Sequence, residues 1–87
     1  MAKYKITFKK SVAKDLLNIP KVDIARVLKK IDALADNPRS KGCVKLSAQE
    51  RYRVRQGLYR IVYEIRDEIL IVVVVKVGHR SAVYKDN

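Results

Sequence analysis

Residues 51–65 read RYRVRQGLYRIVYEI, and the alternation in this stretch decides the fold. A period of two is the signature of a strand whose two faces meet different surroundings. Tyr52 and Val54 fall on one face; Arg51, Arg53 and Arg55 fall on the other. Gln56-Gly57 has hairpin-turn chemistry. Leu58 to Ile65 then resumes the alternation, with Tyr59, Ile61, Tyr63 and Ile65 on a core face and Leu58, Arg60, Val62 and Glu64 on the other. A hairpin with one apolar face and one basic face follows, and the rest of the chain must cover the apolar side.

Downstream, Arg66-Asp67-Glu68 reads as a turn. Ile69 to Val77 is nearly all β-branched, as in a strand buried on both faces. Upstream, Arg39 to Glu50 reads as a loop around Gly42. Ile24, Val27, Leu28, Ile31, Leu34 and Ala35 form a helical stripe. Asn37-Pro38 ends it, because a residue before proline avoids the helical region. Pro20 suits the first turn of that helix. Val12, Leu16 and Ile19 mark an earlier helix, with Ala13 and Leu17 widening its apolar face. Lys3 to Phe8 alternates as a first strand, with Tyr4, Ile6 and Phe8 inward. The expected fold is α+β in the order β-α-α-β-β-β. Two N-terminal helices pack on one face of a mostly antiparallel four-stranded sheet, and the arginines occupy the other face. The 87 residues suit one domain, 1–87, with no repeat or linker.

Charge narrows the function. The formal net charge is +11, from 20 Lys and Arg against 9 Asp and Glu. Between Asn37 and Arg66 there are eight basic residues and two acids, whereas Lys9 to Asp36 has seven and four. The excess therefore belongs to the later segment, and a polyanionic partner, nucleic acid foremost, is expected. Cys43 is the single cysteine, so no internal disulfide can form, which favours a reducing, cytoplasmic setting. No CxxC or Cys/His cluster is present, and no metal site or cofactor is expected. The longest apolar run, Ile69 to Val75, is too short to span a bilayer, so no membrane partner is expected.

Two features can carry chemistry. Arg51, Arg53 and Arg55 form a row that Arg60 joins from the adjacent strand, and four guanidinium forks on one face could grip an RNA backbone. The same spacing also fits a solvated face paired to Glu64. The segment Gly78-His79-Arg80-Ser81-Ala82-Val83-Tyr84 emerges at a sheet end, so Arg80 and Tyr84 could reach the arginine face. His79 is a candidate accessory group or a plain surface histidine. Glu64 is the only acid on the basic face by parity, so a paired-carboxylate mechanism has no partner. An RNA-cleaving activity would then use the RNA's own 2′-hydroxyl without metal.

The chain resembles the RelE family of toxin–antitoxin systems from Tyr4-Lys5-Ile6 to Val83-Tyr84. The matching pieces are the paired helices ending Ala35-Asp36-Asn37-Pro38-Arg39, then Tyr52-Arg53-Val54-Arg55, then Gly57-Leu58-Tyr59-Arg60-Ile61-Val62-Tyr63-Glu64. Val77-Gly78-His79-Arg80 with Val83-Tyr84 completes the set. The resemblance implies a ribosome-dependent endoribonuclease that cuts messenger RNA in the aminoacyl site and leaves a 2′,3′-cyclic phosphate, or the opened 3′-phosphate, and a 5′-hydroxyl. It puts the family's basic RNA-binding positions on Arg53 and Arg55, the transition-state arginine on Arg60, the proton-donor position on Arg80 and the C-terminal tyrosine on Tyr84. An acidic, RelB-like antitoxin, the ribosome and mRNA are the implied partners, in a toxin–antitoxin hetero-oligomer. Glu64 does not occupy the base position of the relatives that use a Glu/His pair. Three other readings stand beside this one: a ParE-like inhibitor of DNA gyrase, a non-catalytic nucleic-acid-binding module, and an inactive relative that only assembles with its antitoxin.

Overall fold

The computed structural model describes residues 3–46 and 51–79. Its central hairpin joins β3 (Arg51–Gln56) to β4 (Tyr59–Arg66), in register from Arg51 opposite Glu64 to Gln56 opposite Tyr59. Gly57 and Leu58 alone make the turn, with Gly57 at φ 60°. A positive φ at the first of two turn residues suits the twist of the flanking strands, and glycine adopts it without strain. On the far side of β4, β5 (Ile71–His79) pairs antiparallel.

The expected architecture holds, with two differences in the sheet. A short fifth strand, Val44–Lys45, lies inside the stretch read as a loop. Numbered in chain order it is β2, and it pairs antiparallel with β3. The first strand, β1 (Lys5–Phe8), runs parallel to β5, so the sheet is mixed, in the order β1-β5-β4-β3-β2. Alternation says that a segment is extended but not which edge it joins. The helices α1 (Lys10–Leu17) and α2 (Lys21–Ala33) intervene before β2 and carry the chain across one face. Pro20 caps α2 from just outside rather than sitting in its first turn.

One core lies between helices and sheet. Val12, Val27, Ile31 and Leu34 meet Val54, Ile61, Tyr63, Ile65, Val72, Val74 and Val77, all nearly inaccessible. Leu17 does not widen the α1 face as expected: it is 84% exposed. Tyr63 is fully buried, and its hydroxyl donates to the Pro38 carbonyl at 2.6 Å. That bond meets the demand that a buried hydroxyl find a partner, and it ties the end of the helical layer to the sheet. Burial, the first cause, pushes the Tyr63 phenol well above its ordinary pKa.

The expected strand start at Ile69 moves to Ile71. Asp67–Ile69 is a 3₁₀ turn closed by Leu70 at φ 53°. Asp67 anchors this turn. Its carboxylate accepts from Tyr4 Oη at 2.7 Å and from both terminal nitrogens of Arg39 at 3.1 and 2.8 Å. Arg39 also donates to Tyr52 Oη at 3.2 Å and lies over that ring. A β-branched run alone could not reveal this, because the anchor comes from residues 28 and 63 positions away.

β5 is not uniformly buried. A register shift between Val62 and Tyr63, whose partners are Lys76 and Val74, leaves Val75 as an extra residue. The buried positions are therefore Val72, Val74 and Val77, a step of two followed by a step of three. Such a bulge reverses the alternation beyond it.

Candidate functional site

Register places the side chains of the outer face in rows, because residues paired across strands point the same way. One row holds Arg55, Arg60 and Gly78. The next holds Arg53, Val62 and Lys76. The third holds Arg51, Glu64 and Val73. Val44 of β2 stands opposite Arg53 and extends the second row.

The first two rows enclose a hollow of about 230 Å³ lined by Gly42, Val44, Arg53, Arg55 and Arg60. Three of the four expected arginines thus converge on one place. Arg60 is only 7% exposed and lies directly opposite Arg55. Like charges held opposite each other repel, and burial raises that cost. A group of guanidiniums converging in this way is well suited to an anion. A phosphodiester with two non-bridging oxygens matches such forks. Gly42 and Val44 were not among the expected site residues. They line the hollow because β2 folds back beside β3, and loop-like spacing carries no signal of that.

Arg51 is placed differently. Its Nη2 lies 2.6 Å from Glu64, which also receives Arg66 at 2.8 Å. The Arg51 hydrogen bond, with that of Arg66 adding to it against a desolvation penalty, holds the Glu64 carboxyl below the usual carboxylate range. Glu64 stays ionised, and Arg51 keeps this pairing rather than lining the hollow.

His79 pairs with Tyr59 and therefore points to the helix-bearing face, its ring edge-on to Tyr59 at 6.2 Å between centroids. The arginine face at this level of β5 is Gly78. The structure places His79, the possible accessory group, on the sheet face opposite to that of Arg60. Arg80 and Tyr84 lie outside the described residues. Among the described residues no group of His, Cys, Asp or Glu is arranged to hold a metal ion, and no helix is long and apolar enough to cross a membrane.

The helical side carries a different surface. Phe8, 46% exposed, and Leu28, 40% exposed, join Val12, Ala13 and Leu16 in an apolar groove beside β1, with Lys9 and Lys10 at its rim. β1 is an edge strand.

Three comparisons bear on this geometry. Residues 6–84 match the profile of the family described as the ParE toxin of the type II toxin–antitoxin system parDE. A protein of Methanocaldococcus jannaschii named "Putative toxin RelE1" is 28% identical over 97% of this chain and 98% of its own. The toxin–antitoxin complex RelBE2 of Mycobacterium tuberculosis contains a chain with a TM-score of 0.81 at 28% identity, covering 93% of this chain and 95% of that one. The isolated RelE toxin of Escherichia coli superposes with a TM-score of 0.78 at 25% identity, over 95% and 93% of the two chains.

Proposed function

Given that the chain belongs to the RelE/ParE superfamily of toxins from type II toxin–antitoxin systems, we propose that it is a ribosome-dependent, metal-independent endoribonuclease acting on messenger RNA in the ribosomal A site. The observation that supports this most is the convergence of Arg53, Arg55 and Arg60 on one hollow of the outer sheet face.

In this reading Arg53 and Arg55 hold backbone phosphates. The 2′-hydroxyl attacks the adjacent phosphorus, the bond to the 5′-oxygen breaks, and the products are a 2′,3′-cyclic phosphate and a 5′-hydroxyl. Arg60 meets the negative charge that builds on the phosphoryl oxygens, which is commonly a large part of catalysis. Its burial strengthens this effect, because low polarity magnifies electrostatic attraction. Tyr84 stacks on a base or aligns the 2′-hydroxyl, and Arg80 assists the departing 5′-oxygen. Arginine stays protonated at any working pH, so Arg80 acts by charge, while water takes up the 2′-hydroxyl proton and delivers one to the 5′-oxygen. The ribosome supplies the bent substrate that such weak acid–base groups require.

The test is cleavage on programmed ribosomes against the same RNA free in solution, with and without EDTA. Message is cut only on the ribosome, and the chelator has no effect. Efficient cutting of free RNA, or loss of cutting in EDTA, would falsify the proposal.

A second reading, inhibition of DNA gyrase, is favoured by the family match itself, which is to ParE. Mapping messenger RNA ends after brief induction in cells separates the two. Cuts inside translated frames mean RNA cleavage, and an SOS response with intact message means gyrase inhibition.

The proposed partner in the resting cell is an acidic, RelB-like antitoxin, assembled with the toxin as a hetero-oligomer in the cytoplasm. The net charge of +11 and the apolar groove beside edge strand β1 both call for a cover. Co-expression of the antitoxin suppresses toxicity and yields a stable complex. A chain tolerated alone at high expression, with no small acidic protein bound, speaks against this assembly.

A further inference from the structure

Lys76 stands where an unbroken strand would not put it. With simple alternation it would share the face of Val72 and Val74 and point into the apolar core. A charged ammonium there would carry a heavy desolvation cost. The extra residue at Val75 reverses the alternation. Val77 takes the core position, and Lys76 comes to the outer face, opposite Val62. Bulges often re-aim a side chain beside a functional site.

The company of Lys76 gives the re-aiming a purpose. On the other side of Val62 stands Arg53, in the same row. Two strand spacings put the Arg53 and Lys76 backbones about 10 Å apart. In the adjoining row β5 presents Gly78 opposite Arg60, so it places no side chain beside that guanidinium at this level. Positive charge therefore extends across β3, β4 and β5 at one end of the sheet, with Gly78 opposite Arg60 in the adjoining row.

We propose that Lys76 is a further RNA-contacting residue of this site, holding a backbone phosphate next to the scissile one on the β5 side of Arg60. This rests on the RNA-cleaving reading. Arg53 and Arg55 hold the strand from the β3 side, and Lys76 holds it from β5, so the RNA crosses the strands instead of running along one of them. The role is grip rather than chemistry. A point charge on a flexible stem suits a phosphate that must move as the scissile group reacts.

The test uses fluorescence anisotropy with a short labelled single-stranded RNA, titrated over a salt series. Lys76→Ala weakens binding and reduces the slope of log affinity against log salt by about 0.7, the loss of one phosphate contact to a single strand. Lys76→Arg restores the slope. Lys21→Ala removes the same charge from the helical layer and leaves the slope unchanged. Thermal melts establish that each variant is folded, and Lys76→Gln, which keeps most of the stem, replaces the alanine variant if that one is not. An unchanged slope in the folded Lys76 variant, or an equal drop in Lys21→Ala, overturns the assignment. On saturated programmed ribosomes Lys76→Ala loses far less of the single-turnover rate than Arg60→Ala, and a loss as large as that of Arg60→Ala overturns grip in favour of chemistry. If the wild type cuts nothing on ribosomes, the nuclease reading fails by itself, and the salt slope still decides Lys76.

Discussion

The two ends of the β3–β4 hairpin carry the same residue type and do opposite things with it. At the turn end, Arg53, Arg55 and Arg60 crowd one hollow. At the open end, Arg51 and Arg66 share Glu64 at 2.6 and 2.8 Å. One carboxylate makes the difference. Where it is present, the arginines close a local ion-pair network. At the turn end no carboxylate of β4 or β5 stands in register with Arg53 or Arg55, and the guanidiniums line a hollow whose chemistry suits an anion. Arginine on a strand face is thus not a functional signal in itself, and the cross-strand neighbour decides what it does.

Breaking the comparison at the turn end has the largest expected effect. Arg60→Ala lowers the single-turnover cleavage rate on saturated ribosomes by roughly a hundredfold or more, the usual loss when a group that meets transition-state charge is removed. Arg60→Lys recovers part of the rate, because an ammonium lacks the planar fork. A normal rate at saturation for Arg60→Ala would make Arg60 a plain phosphate contact and sink the catalytic assignment.

Arg53→Ala or Arg55→Ala weakens ribosome binding by roughly tenfold at low salt, as one charged hydrogen bond of about 1.5 kcal/mol implies. The difference from wild type shrinks as salt rises. Binding curves at two ionic strengths check this, and a deficit that ignores salt argues against phosphate contact.

At the open end the same substitution acts on stability. Arg51→Ala costs about 1 kcal/mol in denaturant unfolding, the scale of a part-exposed ion pair, and leaves the cleavage rate unchanged. A clear loss of ribosome affinity in a fully stable Arg51→Ala would show that the two ends are not distinct.

The smallest effect is a pH dependence away from both ends. The hydrogen bonds from Arg39 first, then Tyr4, hold the Asp67 carboxyl down at about 2, below the unfolded value near 3.9. Between those values the unfolded chain binds more protons, so stability rises with pH. The Asp67 contribution is complete above about pH 4 and is lost as pH falls toward 2. Glu64, also held low, acts in the same direction. In acid melts Asp67→Asn flattens this part of the curve, and an unchanged slope would mean that the Arg39–Asp67 contact does not persist in solution.

Much of this could be read before any coordinates. Period-two alternation around Tyr52 and Val54 and around Ile61, Tyr63 and Ile65 marked the hairpin and its core face. The stripe of Val27, Ile31 and Leu34 marked the second helix. These patterns are local, and burial enforces them within a few residues. The arginine row was equally visible by parity, but its division into a hollow and an ion-pair network was not, since that depends on which residue of β4 stands opposite which of β3.

The residues themselves settled the two helices, the four main strands, the basic face and their order along the chain, because each follows from side-chain periodicity and backbone preference along a short stretch. Tertiary structure alone decided the rest. It set β1 parallel to β5, folded β2 beside β3 so that Gly42 and Val44 line the hollow, and turned His79 toward the helices. It also brought Lys76 to the arginine face through a single extra residue at Val75. These outcomes depend on register between distant strands. One inserted residue flips every side chain beyond it, and the energy that chooses the register comes from packing the whole core against the helices.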